Sequence, residues 1–261
     1  MENTAVFILS SNYSGSTWLA LLLGSNKDAF YVGELNKMFH DEPVPCRLCE
    51  DRGVTCPVFY DIPNLKNKNI HDTAFQRSGK PVLIDNSKTL AWSRKFLADK
   101  RFARKYVHLL RDPRAVAFSL QNRDKPPKVD GWVKKNTEIH EFLLKNELDY
   151  KVVTYNDVAE KTDAVISDVS DWLGVKYDPA QKEYWNFEHH GPGRNGATSS
   201  FLKSYVASDD NFYAQNQKKQ FHDLRWRDDL VPEIRAEIEN SEKVAGLLKK
   251  FDLKFTEIGL E

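Results

Sequence analysis

Cysteine is scarce in this chain, with three residues among 261. That excludes the dense disulfide framework of small secreted scaffolds and makes a reducing, cytoplasmic setting the default expectation. Charge of one sign is also lacking: 38 Lys and Arg balance 38 Asp and Glu. No global field therefore draws the protein to nucleic acid or to an anionic membrane, and neither is expected as a partner. Long hydrophobic runs are absent too. The first, Ala5–Leu9, is broken by Ser10, Ser11 and Asn12, and no basic residue precedes it. Neither a membrane span nor a signal peptide is expected. No internal repeat, low-complexity tract or linker divides the sequence, so one domain over 1–261 is expected, long enough for a substantial core.

What is present begins at residue 5. Ala5-Val6-Phe7-Ile8-Leu9 reads as a buried strand, and Ser10-Ser11-Asn12-Tyr13-Ser14-Gly15-Ser16-Thr17 as a turn of small residues. Trp18-Leu19-Ala20-Leu21-Leu22-Leu23 continues as a helix. A strand, a Gly/Ser turn and a helix N-terminus make an anion cradle, because unpaired amides and the helix dipole both favour negative charge. Gly15 admits a close backbone approach, and Ser14, Ser16 and Thr17 add hydroxyl donors. The turn lacks the first glycine and the lysine of a Walker A loop, Gly-x4-Gly-Lys-Ser/Thr. Alone, it reads equally well as plain structure.

Further strands are expected at 29–33, 81–85, 105–110 and 150–155. Helices are expected at 15–25, 66–77, 89–103, 113–123, 132–147, 161–174, 213–226 and 232–251. Short apolar strands alternating with helices predict an α/β fold with a central parallel sheet covered on both faces. Ligands then bind beyond the carboxyl ends of the strands. Polar, turn-rich segments fall there, at 10–17, 34–65, 85–88, 111–114 and 124–131, and 186–212 reads as a long loop or lid.

Leu109-Leu110-Arg111-Asp112-Pro113-Arg114-Ala115-Val116-Ala117-Phe118-Ser119 repeats the strand-turn-helix logic. Asp112 suits the N-cap and Pro113 the first helical position, which explains both structurally. Arg111 is different, since a guanidinium at the end of a buried strand calls for a carboxylate or phosphate. Ser119, two turns into the helix, is placed to add a hydroxyl to the same anion.

Together the Ser-Gly-Ser-Thr loop and Arg-Asp-Pro-Arg-Ala-Val with its following serine resemble the sulfotransferases that use 3′-phosphoadenosine 5′-phosphosulfate (PAPS). The resemblance is strongest over residues 5–120. It implies the P-loop-like sulfotransferase fold, and sulfuryl transfer to a small-molecule hydroxyl, less readily an amine, with release of adenosine 3′,5′-bisphosphate (PAP). It places Tyr13, Ser14, Gly15, Ser16, Thr17 and Trp18 on the 5′ side of the nucleotide, and Arg111 and Ser119 on the 3′-phosphate. Asp85-Asn86-Ser87-Lys88 is similar to the Asp-Ser-Ser-Lys element of carbohydrate-type members, and Gly33-Glu34 to the segment bearing the base in tyrosylprotein sulfotransferases. Arg225-Trp226-Arg227 resembles an element that closes over the nucleotide, with Trp226 stacking on adenine or simply packed in the core. Arg194 is a further candidate for the 3′-phosphate, and equally a surface arginine.

One departure stands out: Tyr13 occupies a position where the family usually has Arg or Lys. Charge neutralisation then falls to Lys88 and the loop amides, with Lys88 at the bridging oxygen of the leaving group. Glu34 is the first candidate for general base, and His190 or His189, in a Gly-rich loop, is its rival. Two other classes compete. A small-molecule kinase would need a loop lysine and a magnesium carboxylate that the sequence does not place. A non-catalytic PAP- or PAPS-binding protein draws its support from Tyr13.

Cys46-x2-Cys49-x6-Cys56 follows Glu34, with His40 six residues upstream of Cys46. Three thiolates and an imidazole satisfy a tetrahedral structural zinc, whereas free thiols or a Cys46–Cys49 redox pair explain the same residues without one. Oligomeric state and acceptor identity are not encoded in any of these motifs. The acceptor classes that fit are a sugar, a phenol or a secondary metabolite.

Overall fold

The computed structural model describes residues 2–40, 44–61, 69–127, 129–192, 219 and 222–258. Its first element, β1 (Thr4–Ser10), is buried along its whole length. Then come α1 (Ser16–Gly24), β2 (Ala29–Gly33), a 3-10 turn over Leu35–Phe39, α2 (Arg47–Arg52), α3 (Ile70–Ser78), β3 (Val82–Lys88) and α4 (Leu90–Arg94). β4 (Ala103–Leu110), α5 (Pro113–Gln121), α6 (Val129–Lys145), β5 (Tyr150–Thr154), α7 (Tyr155–Glu160) and α8 (Thr162–Leu173) follow. A 3-10 segment over Pro179–Asn186 precedes the terminal helices α9 (Trp226–Asp229), α10 (Pro232–Glu239), α11 (Glu242–Lys250) and α12 (Phe255–Ile258).

The five strands form one sheet in the order β2-β3-β1-β4-β5, and every pairing is parallel. Because side chains alternate along a strand, β1 feeds two cores. Ala5, Phe7 and Leu9 point to one face with Trp92, Phe96, Tyr106 and Phe142. Val6 and Ile8 point to the other with Leu19, Leu22, Val107, Ile166 and Val169. This two-sided burial is why the strand reads as a continuous apolar run.

Connections leave β1 toward β2 and leave β4 toward β5, so the β1–β4 boundary is the switch point at which a crevice opens beyond the strand ends. The loops after β1 and β4 meet there.

Three expected boundaries shift. The helix expected at 89–103 stops at Arg94. Beyond it Phe96 and Phe102 turn into the core around His71, and Asp99 closes an Asx-type turn by accepting the Arg101 amide N–H. The helix expected at 232–251 is two, divided at Asn240, where Ser241 caps α11 by accepting the Val244 amide. β3 continues through the expected turn 85–88, its register slipping between Phe7↔Asp85 and Leu9↔Lys88. Asp85 makes this polar stretch possible inside the sheet. It is 1% exposed and accepts from the Ser87 amide and hydroxyl, Trp92 Nε1 and His71 Nε2. Most of the helix expected at 213–226 lies outside the described residues, as do 193–212 of the expected lid, together with Arg194.

Candidate active site

Gly15 is the pivot of the β1–α1 loop. It sits at φ +84°, and a Cβ there would lie 2.7 Å from Cδ2 of Tyr155. Only glycine combines that backbone with that closeness. No side chain caps α1, so the helix presents its first turn of amides to the loop side. Ser14 and Ser11 hydroxyls pair at 2.7 Å, Ser16 is buried, and Thr17 Oγ1 accepts from Asn86 Nδ2 at 3.3 Å. Trp18 is half-buried, tilted on Tyr155 at 5.5 Å.

Beside this loop, at the next strand ends, Glu34 and Lys88 meet. Lys88 Nζ donates to Glu34 Oε1 at 2.5 Å, and Lys37 pairs with Oε2. Burial alone raises the Glu34 carboxyl, but Lys88 and Lys37 overcome that and hold it below the ordinary carboxylate value. The group is an anion at neutral pH. Lys88 itself adopts φ +65°, a left-handed conformation that costs a non-glycine residue of order 1 kcal/mol and concentrates at functional sites.

On the other side of the loop, Arg111 crosses the switch point. Its Nη1 donates to the Tyr13 carbonyl at 2.8 Å, and its guanidinium lies over Tyr155 at 4.4 Å. Its Nη2 reaches Asp223 Oδ2 at 3.3 Å. Nε is buried with no partner among the described residues. Asp223 also accepts two bonds from Arg225, at 2.8 and 2.9 Å. Burial raises the Asp223 carboxyl, yet the two arginines bring it below its usual value. Ser119 is buried, and its hydroxyl donates back to the Ala115 carbonyl at 3.0 Å.

Tyr13 has φ +64° and collects cations from elsewhere. Lys125 Nζ donates to its hydroxyl at 3.3 Å, and Arg123 stacks on its ring at 4.7 Å. A cavity of about 270 Å³ adjoins it, lined by Ser11, Tyr13, Val116, Leu120, Trp132 and Lys135 among others.

Several candidates stand elsewhere. Trp226 is 2% exposed, packed against Ala115, Phe118 and Leu230, with Arg114 over its ring at 4.3 Å. It is packed in the core with its ring already stacked, as in the second of the two readings open for it. Arg227 flanks the same ring at 5.8 Å. His189 is half-buried, donates to the Tyr184 carbonyl at 2.8 Å, and is pushed down to about 4 by desolvation. His190 points its Nδ1 at the cysteine thiols rather than at Glu34. His40, the expected fourth member of the cysteine group, is exposed.

Residue patterns alone missed Tyr155 and Asp223. Tyr155 supports both Gly15 and Arg111, and its hydroxyl accepts the Asp223 amide at 3.2 Å. Its only sequence signal is an aromatic directly after a strand.

The sequence matches no family profile and no curated protein. Solved structures do match. The sulfotransferase domain from the Synechococcus PCC 7002 olefin synthase is 20% identical, with a TM-score of 0.61 over 97% of this chain and 96% of that one. The sulfotransferase domain of the curacin biosynthetic pathway is 21% identical, with a TM-score of 0.57 over 95% and 97%. Retinol dehydratase, solved with androsterone and the inactive cofactor PAP, is 16% identical, with a TM-score of 0.52 over 97% and 83%. Over nearly its whole length, the chain has the sulfotransferase fold.

Proposed function

We propose that this protein transfers a sulfuryl group from PAPS to a hydroxyl of a small-molecule acceptor, releasing PAP. The observation that carries the reading is the Glu34–Lys88 pair at the sheet's carboxyl edge, one strand away from the uncapped N-terminus of α1. A general base and a cation in contact, beside an anion cradle, are what in-line group transfer requires.

Two unmet demands among the described residues fit the nucleotide: the uncapped first turn of α1 and the buried Nε of Arg111. The α1 amides with Ser14, Ser16 and Thr17 would hold the 5′ phosphosulfate. Arg111, whose buried Nε has no partner among the described residues, would hold the 3′-phosphate together with Ser119 and Arg225. In the transfer step the acceptor oxygen attacks sulfur and its proton passes to Glu34. The bond from sulfur to the phosphate oxygen breaks, and Lys88 stabilises the negative charge that collects there. Lys88 thus has two anionic partners, the carboxylate and the leaving phosphate. Lys125 and Arg123 at Tyr13 supply cations that the first loop itself lacks, which supports an enzyme over a binding protein that has lost turnover. The described parts of the loops expected on the acceptor side, 34–40, 44–61, 124–127, 129–131 and 186–192, would wall the acceptor, for which a sugar, phenol or secondary metabolite is the candidate.

Calorimetric titration with PAP, AMP, ADP and ATP in magnesium-free buffer tests the reading. Tight PAP binding with marked preference over AMP and ATP is expected. Preferred ATP or ADP binding, or a magnesium requirement, overturns it.

A further inference from the structure

The three cysteines come together with a histidine from far along the chain. Cys46, Cys49 and Cys56 are 3, 4 and 6% exposed and carry no disulfide. His190 Nδ1 stands 3.7, 3.4 and 3.8 Å from their sulfurs. All four donor atoms lie within 4.8 Å of one another. A tetrahedral ion with Zn–S bonds of about 2.3 Å and a Zn–N bond of about 2.05 Å sets its donors roughly 3.6–3.8 Å apart. The spacing is that of a ligand cage.

The surroundings fit as well. The Phe59 amide N–H points at Cys56 Sγ at 3.3 Å, the contact that steadies a thiolate. His190 Nε2, the ring nitrogen facing away from the sulfurs, has Glu188 Oε2 at 3.7 Å, and Arg52 anchors Glu188 at 2.6 Å. A carboxylate behind the far nitrogen of a ligating imidazole fixes the ring and its tautomer. Phe30 lies parallel to the ring at 5.9 Å.

We propose that Cys46, Cys49, Cys56 and His190 bind one structural zinc ion. Three sulfurs and one nitrogen select zinc among common metals, and four protein donors leave no open position for catalysis. The ion would join two segments distant in sequence, the loop carrying the cysteines and the irregular stretch 188–192. That junction lies directly against the candidate base. Cys46 bridges Pro192, the Arg47 amide donates to the Gly191 carbonyl at 3.2 Å, and the Glu34 amide donates to the Pro192 carbonyl at 3.1 Å. Gly33 and Gly191 touch backbone to backbone: a Cβ on Gly191 would sit 2.7 Å from Gly33 N. The zinc is therefore a positioning element for the Glu34 peptide. The site itself stands whether or not the sulfuryl-transfer reading holds.

The test is metal analysis of the full-length, untagged protein expressed without added metal, using no nucleotide or acceptor. About one zinc per chain is expected, with X-ray absorption at the zinc edge showing three sulfurs and one nitrogen. His190→Ala and Cys49→Ser should lose most of the metal, and His190→Cys should keep it as a four-sulfur site. Folded protein free of metal with three titratable thiols overturns the proposal. So does a disulfide found under denaturing, non-reducing conditions, iron in place of zinc, or a wild-type zinc environment rich in oxygen. Full zinc retention in both His190→Ala and Cys49→Ser overturns the ligand assignment.

Discussion

Glu34 and Lys88 are 54 positions apart in sequence and in direct contact at neighbouring strand ends, carboxylate to ammonium at 2.5 Å. Because β3 lies between β2 and β1, Lys88 has the proposed base on one side and the α1 N-terminus on the other. Glu34→Gln should therefore reduce transfer by about 100-fold or more and leave PAP affinity nearly unchanged. Normal turnover with weakened PAP binding, measured by single-turnover kinetics and calorimetry, would refute the base assignment.

Arg111→Ala removes the guanidinium that spans the switch point. PAP affinity should fall by about 1.5–3 kcal/mol, roughly 10- to 150-fold, as for loss of a hydrogen bond to a charged group. AMP, which has no 3′-phosphate, should lose far less. An equal loss for both nucleotides would remove Arg111 from the 3′ site.

At Tyr13 the cations arrive from outside the loop. Lys125→Ala should slow transfer about tenfold or more while the fold stays intact, and Tyr13→Arg should give no gain, since it crowds charge already supplied. A large increase in transfer by Tyr13→Arg would instead identify a weakened ancestral site. Activity assays on the two variants, with circular dichroism as a control, decide between them.

Gly15→Ala places a methyl against Tyr155 at a backbone angle that disfavours side chains. Nucleotide binding should weaken and stability fall by roughly 1–2 kcal/mol from the left-handed backbone alone, read as a lower melting temperature. Unchanged PAP affinity would show that the loop does not need its present shape.

The pH dependence of stability follows from two desolvated imidazoles, one buried and one half-buried. Burial pushes His108 and His189 down to about 4, whereas unfolded histidine titrates near 6.5. Between those values the unfolded chain binds more protons, so stability is complete above about pH 6.5 and falls as the pH drops toward 4. The loss should be on the order of a few kcal/mol, read from urea midpoints at pH 7 and pH 5. His108→Gln, compared with its own pH 7 value, should flatten the slope. An unchanged slope would show that His108 does not contribute.

Local chemistry made much of this legible. β2 runs over 29–33 as its apolar stretch predicts, and Asp112 and Pro113 start α5 where cap rules put them. Features that depend on two distant segments were not visible. Sequence proximity offered His40 to the cysteines, but the sheet and the 179–192 segment deliver His190, separated from Cys56 by 134 positions. Likewise nothing near Arg111 in sequence announces Asp223, and the helix expected through 89–103 ended early because Phe96 and Phe102 gain more from the core than a continued helix offers. Periodicity sees one element at a time, whereas these outcomes are decided by what each element packs against.

Asp223 gives the proposed nucleotide site an internal counter-ion. Its carboxylate already neutralises Arg111 and Arg225, so a phosphate arriving at these guanidiniums replaces one anion with another. Binding there then releases few mobile ions from solution, and affinity should depend on ionic strength less steeply than a count of arginines implies. If PAP binds there as proposed, selectivity for a dianionic 3′-phosphate should arise in the same way, because a ligand without one cannot compete with the resident carboxylate.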